Sequence, residues 1–383
     1  VPEGQVGHDS ALLLLGTLER GGSETKFVRL AGRLSAAGRN VHLSWLGGSE
    51  ALLDELSPDV VRHPLHRRGS LSPSALLRLD RVIRESRPAS LVCVNFYPMI
   101  YGWTSGGFRR FPRLIASINT TDLKGKRERR FMNLYAPLMR RMNQVIFGST
   151  AQRSQWVRDF RLRPECCSVI YNGVDSDRYL PADANYSRAM RSRHDIPEDA
   201  VVFVSVAQLR PEKGHDVLVE AFSRMPAELN GHLFLVGDGA RRAHLESMIA
   251  AKGIGERVML AGEQTDVRPW LAMSDAFVLA STAVETFSNA ALEAAASGLP
   301  LVMTDIGGAR ELVGADAHEW LVSPGDVDGL RDRLVRIASE RSTRERLGAQ
   351  ARARVLSRFS TGQMDAAWAS VLWPEEYNEG LVS

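Results

Sequence analysis

The sequence predicts two doubly wound α/β domains in series, each a parallel sheet flanked by helices. Three observations carry this expectation. The chain has 383 residues, too many for one ordinary hydrophobic core and enough for two. Short apolar runs alternate with helical patterns along most of its length, the pattern of parallel strands joined by crossover helices. Charge is also unevenly divided. The net +3 at pH 7 splits into a basic first part, residues 1–163 at +13, and an acidic second part, residues 164–383 at −10. Two bodies with different partners account for such a division.

The elements follow in order. An apolar strand at 11–15 is punctuated by Gly21 and Gly22. Phe27, Leu30, Ala31 and Leu34 then recur at i, i+3, i+4 and i+7, one face of a helix. Gly38 ends that helix, and strands follow at 41–46, 91–95, 113–118 and 144–147. A polar, proline-containing stretch at about 181–200 precedes a second series. Its strands are expected at 201–206, 232–236, 257–260, 276–279 and 301–303, with Val217, Leu218, Ala221 and Phe222 marking its first helix. The reading is an N-terminal domain at 1–175, a second domain at 176–360, and a terminal helix at about 361–383 that returns to the first. In open α/β sheets ligands bind beyond the C-terminal strand ends, so the loops of both domains are expected to line a cleft.

Composition narrows the function classes. Hydrophobic residues at 44% and charged residues at 24% match a globular chain rather than a disordered one. No apolar stretch approaches 18 residues, so no transmembrane helix and no secretory signal is expected in this sequence, and the setting reads as cytoplasmic. The cysteines Cys93, Cys166 and Cys167 form no disulfide framework and no zinc-type spacing. The nine histidines are scattered, and the triplets Asp175-Ser176-Asp177 and Asp326-Val327-Asp328 are too common a pattern to mark a metal, so no metal is expected. No G-x-G-x-x-G follows the first strand of either domain, which argues against a nicotinamide enzyme.

The segment richest in chemistry is 281–308, STAVETFSNAALEAAASGLPLVMTDIGG. A strand gives way to a polar loop and then to a helix of small residues. Thr286, Phe287, Ser288 and Asn289 at its start can present backbone N–H groups to an anion. Glu285 before the helix can accept hydrogen bonds from sugar hydroxyls. Glu293, seven residues intervening, can bridge adjacent ribose hydroxyls. Two surface glutamates are the bland alternative, but a glutamate on an alanine-rich packed helix needs a partner.

This segment resembles the E-x7-E donor motif of glycosyltransferase family four. Gly21-Gly22-Ser23-Glu24, Asn172-Gly173-Val174-Asp175, Arg210-Pro211-Glu212-Lys213-Gly214, Val236-Gly237-Asp238-Gly239 and Leu260-Ala261-Gly262 resemble further family motifs in the family's order, and so extend the likeness along most of the chain. The resemblance implies a GT-B fold of two Rossmann-like domains and retaining transfer from a nucleotide diphosphate sugar, by family habit a UDP-sugar. It implies no resident cofactor. Lys213 would pair with the donor diphosphate, Gly21 and Gly22 would let the backbone approach the phosphates closely, the loop of Gly237 would flank the nucleotide, and Glu285 and Glu293 would hold sugar and ribose. Backbone groups of 263–265 would read the base.

Two positions depart from the family. Gln208 stands where an arginine usually touches the diphosphate, with Arg210 as a substitute. Asn119 stands where a histidine is frequent, and it cannot exchange a proton near neutral pH. These departures support an alternative reading, a silent protein of this fold that binds nucleotide or glycan as a partner; an epimerase or phosphorylase is a third. The acceptor is expected to be lipid-linked, a polysaccharide or a small molecule. The stretch 109–163, with 14 Lys/Arg and three Asp/Glu, reads either as a peripheral contact with the inner face of a membrane or as a helix packing its apolar face on the core. Nucleic acid is not expected, since no binding module accompanies the charge.

Overall fold

The computed structural model of the chain describes residues 10–69, 71–106, 113–119, 132, 135–283 and 285–374, with backbone alone at 316–318. The described residues form two units. One runs to Tyr171 and resumes at Gly362; the other is Asn172–Thr361.

The first unit is built on seven parallel strands: β1 (Ser10–Leu15), β2 (Asn40–Trp45), β3 (Val61–Pro64), β4 (Ser90–Val94), β5 (Arg113–Ile118), β6 (Gln144–Phe147) and β7 (Cys167–Val169). Their order in the sheet is β3-β2-β1-β4-β5-β6-β7. Ala11 to Leu15 are all fully buried, which is why β1 reads as a continuous apolar run: helices cover both faces of a parallel sheet. Successive side chains divide between two cores. Ala11, Leu13 and Leu15 join Phe27, Val28 and Leu30 of the helix Gly22–Ala36. Leu12 and Leu14 join Leu79 and Ile83 of the helix Pro73–Ser86 on the opposite face.

The helix Thr361–Leu372 enters the first of these cores through Met364, Trp368, Val371 and Leu372. Trp368 meets Phe27 edge-on at 5.1 Å, and Arg33 holds Asp365 through two bonds of 2.6 and 2.8 Å.

The second unit has six parallel strands: β8 (Val201–Val206), β9 (Gly231–Val236), β10 (Val258–Gly262), β11 (Ala276–Leu279), β12 (Leu301–Thr304) and β13 (Leu321–Val322), in the order β10-β9-β8-β11-β12-β13. In both sheets the first strand lies beside the fourth, so the chain reverses direction across the sheet at that point. A crevice opens at such a switch, beyond the carboxyl ends of the two strands.

The short strands β3, β7 and β13 are absent from the sequence expectation. All three lie at sheet edges and are two to four residues long, so no periodic apolar signal announces them. Val61 is 43% exposed and the strand ends in Pro64, a residue tolerated only where a ladder bond is dispensable.

The N-G-V-D motif has a structural explanation. A Cβ on Gly173 would lie 2.6 Å from the Ser360 carbonyl oxygen, and Val174 pairs with Ser360 as an isolated bridge. Asp175 Oδ1 accepts from the N–H groups of Asp177 and Arg178, both at 3.1 Å, closing a local turn.

Candidate active site

The second unit places its site at the switch between β8 and β11. The β8 loop ends in the turn Pro211–Lys213, and Gly214 then caps the helix His215–Ser223 in the left-handed region with φ 65°. A Cβ there would sit 1.9 Å from the Ala280 carbonyl oxygen, so only glycine lets the β8 loop lie against the β11 loop. The Thr282 N–H donates to the Glu212 carbonyl at 2.9 Å and ties the loops together. Across this seam Lys213 Nζ donates to Glu285 Oε2 at 2.8 Å, and Ser281 Oγ to the same oxygen at 3.2 Å. The side chains of Lys213 and Glu285 retain 24% and 12% exposure, enough to meet a ligand and little enough that water screens the charges less than on an open surface.

The Glu285 backbone is held from behind. Gly307 lies at φ 58°, and a Cβ on it would stand 1.9 Å from the Glu285 carbonyl oxygen; the Gly308 N–H donates to Thr286 O at 2.8 Å. Phe287 is buried and meets Phe359 edge-on at 5.0 Å, while Asn172 Nδ2 donates to its carbonyl at 2.9 Å. Ser288 caps the helix Asn289–Ala296, its Oγ accepting from the Ala291 N–H at 3.2 Å. Glu293 lies half-buried on this helix among buried Ala291, Leu292 and Ala294.

The β9 loop joins the same end of the sheet. Gly237 has φ 142°, and a Cβ would stand 2.1 Å from the Ala207 carbonyl oxygen; the Leu209 N–H donates to Asp238 O at 2.9 Å. Gln208 and Arg210 are exposed beside it. The Arg210 guanidinium makes no hydrogen bond or ion pair among the described residues. Gln264, in the loop after β10, turns its amide back onto the Ala261 carbonyl at 2.8 Å. His215 is buried, and burial pushes its imidazole down to about 4, with Asp216 opposing and Lys213 reinforcing.

Both D-x-D triplets serve the backbone. The first makes the Asp175 turn; in the second, Asp326 Oδ1 caps the helix Val327–Ser339 by accepting from the Gly329 N–H at 2.9 Å. Among the described residues no group of three His, Cys, Asp or Glu is arranged to hold a metal.

The first unit carries its own polar cluster, at the β1–β4–β5 strand ends. Asn95 follows β4 in the left-handed region with φ 65°, a conformation asparagine tolerates. Asn95 Oδ1 accepts from the Asn119 N–H at 3.1 Å and from Asn119 Nδ2 at 3.3 Å. Asn95 Nδ2 donates to Ser23 Oγ at 3.3 Å, and Ser23 Oγ donates to Glu24 at 2.6 Å. Lys26 Nζ donates to Asn119 Oδ1 at 2.6 Å. Gly21 precedes the helix as its cap residue; a Cβ on Gly22 would meet nothing within 4 Å among the described residues.

Residues 20–178 match the model described as Glycosyltransferase Family 4, and residues 187–354 match Glycosyl transferases group 1. The chain belongs to the glycosyltransferases of the family-four type, with the GT-B fold. Curated relatives include the lipopolysaccharide core biosynthesis glycosyltransferases LpsE and LpsD of Rhizobium meliloti. LpsE is 31% identical over 57% of this chain and 58% of its own length. LpsD is 26% identical over 89% and 91%. Among solved structures, HepE of Anabaena in complex with UDP-glucose superposes with a TM-score of 0.82 at 22% identity, covering 95% of this chain and 99% of that one.

In this member of the family the residues expected from the sequence fall into two loci. Lys213, Glu285, Thr286, Phe287, Ser288, Asn289, Glu293, Gly237 and Arg210 belong to the second unit, and Gly21, Gly22 and Asn119 to the first. Sequence reasoning missed Ser281, Asn95, Ser23 and Lys26. An asparagine directly after a buried apolar run, as at Asn95, is a usable signal for a strand-end site. Lys26 gave none, because it stands at the edge of the helix's apolar stripe and reads as an ordinary surface lysine. In the basic stretch, Met132, Tyr135, Ala136, Met139 and Met142 are buried in the core; its cations at 109, 110, 124, 126, 127, 129 and 130 lie outside the described residues. Among the described residues no helix is long and apolar enough to cross a membrane.

Proposed function

We propose that this protein transfers a sugar from a UDP-sugar to a glycan of the cell envelope or its lipid-linked precursor, with retention of anomeric configuration. The observation that carries the donor assignment is the Lys213–Glu285 pair across the β8–β11 switch, where the ammonium and the carboxylate are 2.8 Å apart. A diphosphate needs a cation and a sugar ring needs a hydroxyl acceptor, and this pair supplies both at one point. The bond between the anomeric carbon and the UDP oxygen breaks. The acceptor oxygen bonds to that carbon from the same face, and the acceptor proton passes to the departing phosphate oxygen. Lys213 stabilises the negative charge that gathers on the diphosphate. Because Lys213 is covalently fixed, the transfer is expected to need no divalent cation.

UDP is favoured by the HepE structure, which was solved with UDP-glucose. The envelope acceptor is favoured by the names of LpsE and LpsD. The surplus of cations at 109–163 suits an acceptor that carries phosphate or sits at an anionic leaflet.

The test is binding and turnover of a panel of nucleotides and their sugars, with and without EDTA. UDP at about 100 times its Kd is expected to stabilise the protein by about 2.7 kcal/mol. GDP, ADP and dTDP should shift it less, EDTA should change nothing, and a UDP-sugar should be consumed with the anomeric configuration kept in the product. A stronger response to another diphosphate, an EDTA-sensitive rate or an inverted product would each sink the corresponding part.

A further inference from the structure

Lys26 is the one cation among the side chains of the first unit's cluster, and the proposed mechanism gives it no role. It lies on the first turns of the helix that follows β1, and Asn119, its partner, directly follows β5. The two strands flank β4, so the ammonium sits over the strand ends at the switch point, where ligands of doubly wound sheets gather.

Its surroundings are unusual for a lysine. An ammonium has three N–H donors, and among the described residues Asn119 Oδ1 is its only hydrogen-bond acceptor. The Phe27 ring lies 5.0 Å away. Glu24 is the one charged group among the described residues that acts on it, and Ser23 Oγ already donates to that carboxylate at 2.6 Å. The remaining neighbours, Asn95, Ser117 and Ser23, are neutral and engaged with Asn119 or with one another. Asn119 is oriented for this purpose: its Nδ2 faces Asn95 Oδ1 and the Ser117 carbonyl and hydroxyl, each at 3.3 Å, which turns Oδ1 toward Lys26.

We propose that the Lys26 ammonium, braced on Asn119, binds a phosphate oxyanion of the substrate at the strand ends of the first unit. Among the described residues this cation has donors to spare and one carboxylate, Glu24, acting on it; in such a partly desolvated setting it has a higher affinity for an oxyanion than a solvated lysine has, because little water need be displaced. The assignment gives Asn119 a purpose that proton exchange could not: it aims a cation. It rests on the transferase reading above. Burial pulls the Lys26 amine down to about 8, against the opposing pull of Glu24. The cation is therefore present at pH 7 and is lost as the pH rises through 8.

The experiment uses the full chain as wild type, Lys26→Met and Lys26→Arg. UDP and inorganic phosphate are the binding probes, and kcat/KM for UDP-sugar turnover is followed from pH 6 to 10. Wild-type turnover is expected to fall as the pH passes about 8. Lys26→Met should lose at least tenfold in kcat/KM at pH 7 and lose that alkaline limb, while its melting temperature does not fall. Lys26→Arg should recover part of the rate and keep it to pH 10, because a guanidinium does not deprotonate there. If Lys26→Met weakens UDP binding, the oxyanion belongs to the nucleotide. If it leaves UDP alone and abolishes phosphate binding, the oxyanion belongs to the acceptor. A Lys26→Met protein with wild-type affinity for both probes and an unchanged pH profile overturns the proposal. Should that variant fold poorly, Lys26→Gln replaces it. A wild type that binds phosphate through Lys26 yet ignores every UDP-sugar would instead refute the transferase reading; a wild type that binds neither probe removes both.

Discussion

At the scale of single residues, chemistry is concentrated in a few charges whose partners are chosen by distance. Lys213 and Glu285 lie 72 positions apart in sequence and form one unit in space. Lys213→Ala removes the cation proposed to meet the diphosphate and also takes the ammonium away from Glu285, which keeps its bond from Ser281. The expected loss in kcat is on the order of 10²-fold or more, as for removal of a preorganised electrostatic group. Glu285→Gln should lose a similar amount, and the double variant should lose little more than either, because the two act together. Steady-state kinetics on the four proteins checks this, and additive losses would contradict the pairing. His215 makes a separate prediction. Its pKa of about 4 in the folded chain lies below the ordinary value of 6.5, so between those values the unfolded chain takes up the proton first. Its contribution is intact above pH 6.5 and is lost as pH falls toward 4, by on the order of 3 kcal/mol. Urea unfolding at pH 7 and pH 4.5 should show it, and His215→Gln should flatten the difference.

At the scale of elements, glycines decide which loops can touch. Gly307 packs its Cα against the Glu285 carbonyl at a positive φ. Gly307→Ala therefore has two costs, a strained backbone and a clash that only movement of the 285–286 backbone relieves. It is expected to lower the melting temperature and to abolish UDP binding together. Gly22 offers the contrast, since a Cβ there meets nothing among the described residues. Gly22→Ala should leave stability within about 0.5 kcal/mol, and a fall in turnover in that variant would report contact with substrate directly. Calorimetry and UDP titration on both proteins distinguish a glycine kept for the fold from one kept for a ligand. The motif pattern made both conspicuous in the sequence; only the surroundings assign them different reasons.

At the scale of the whole molecule, the chain's end completes its beginning. Trp368 is buried and fills the same core as Leu13, Leu15 and Phe27, and the Arg33–Asp365 pair fixes the helix that carries it. Trp368→Ala is expected to destabilise the first unit by about 3–5 kcal/mol. Two-phase unfolding, with the early phase moved and the UDP-stabilised phase unmoved, would place that loss in the first unit alone. A single transition shifted as a whole would instead show that the two units unfold together.

The sequence by itself determined the repeated strand–helix order, the central strands and the residues that make up the loops proposed to bind the donor. Continuous apolar runs such as 11–15 and 201–206 can be satisfied only between two covered faces, and E-x7-E and K-G are local in sequence. Edge strands such as β3 and β13 were not legible, because a short edge strand has no periodic burial to advertise. Tertiary structure alone decided which residues meet. That Lys213 reaches Glu285, that Gly307 braces it, and that Lys26 leans on Asn119 depend on parallel strands bringing distant loops to one end of a sheet. Such contacts are set by strand order and by backbones that come too close for a Cβ to fit between them, and neither is encoded in any local stretch of the chain.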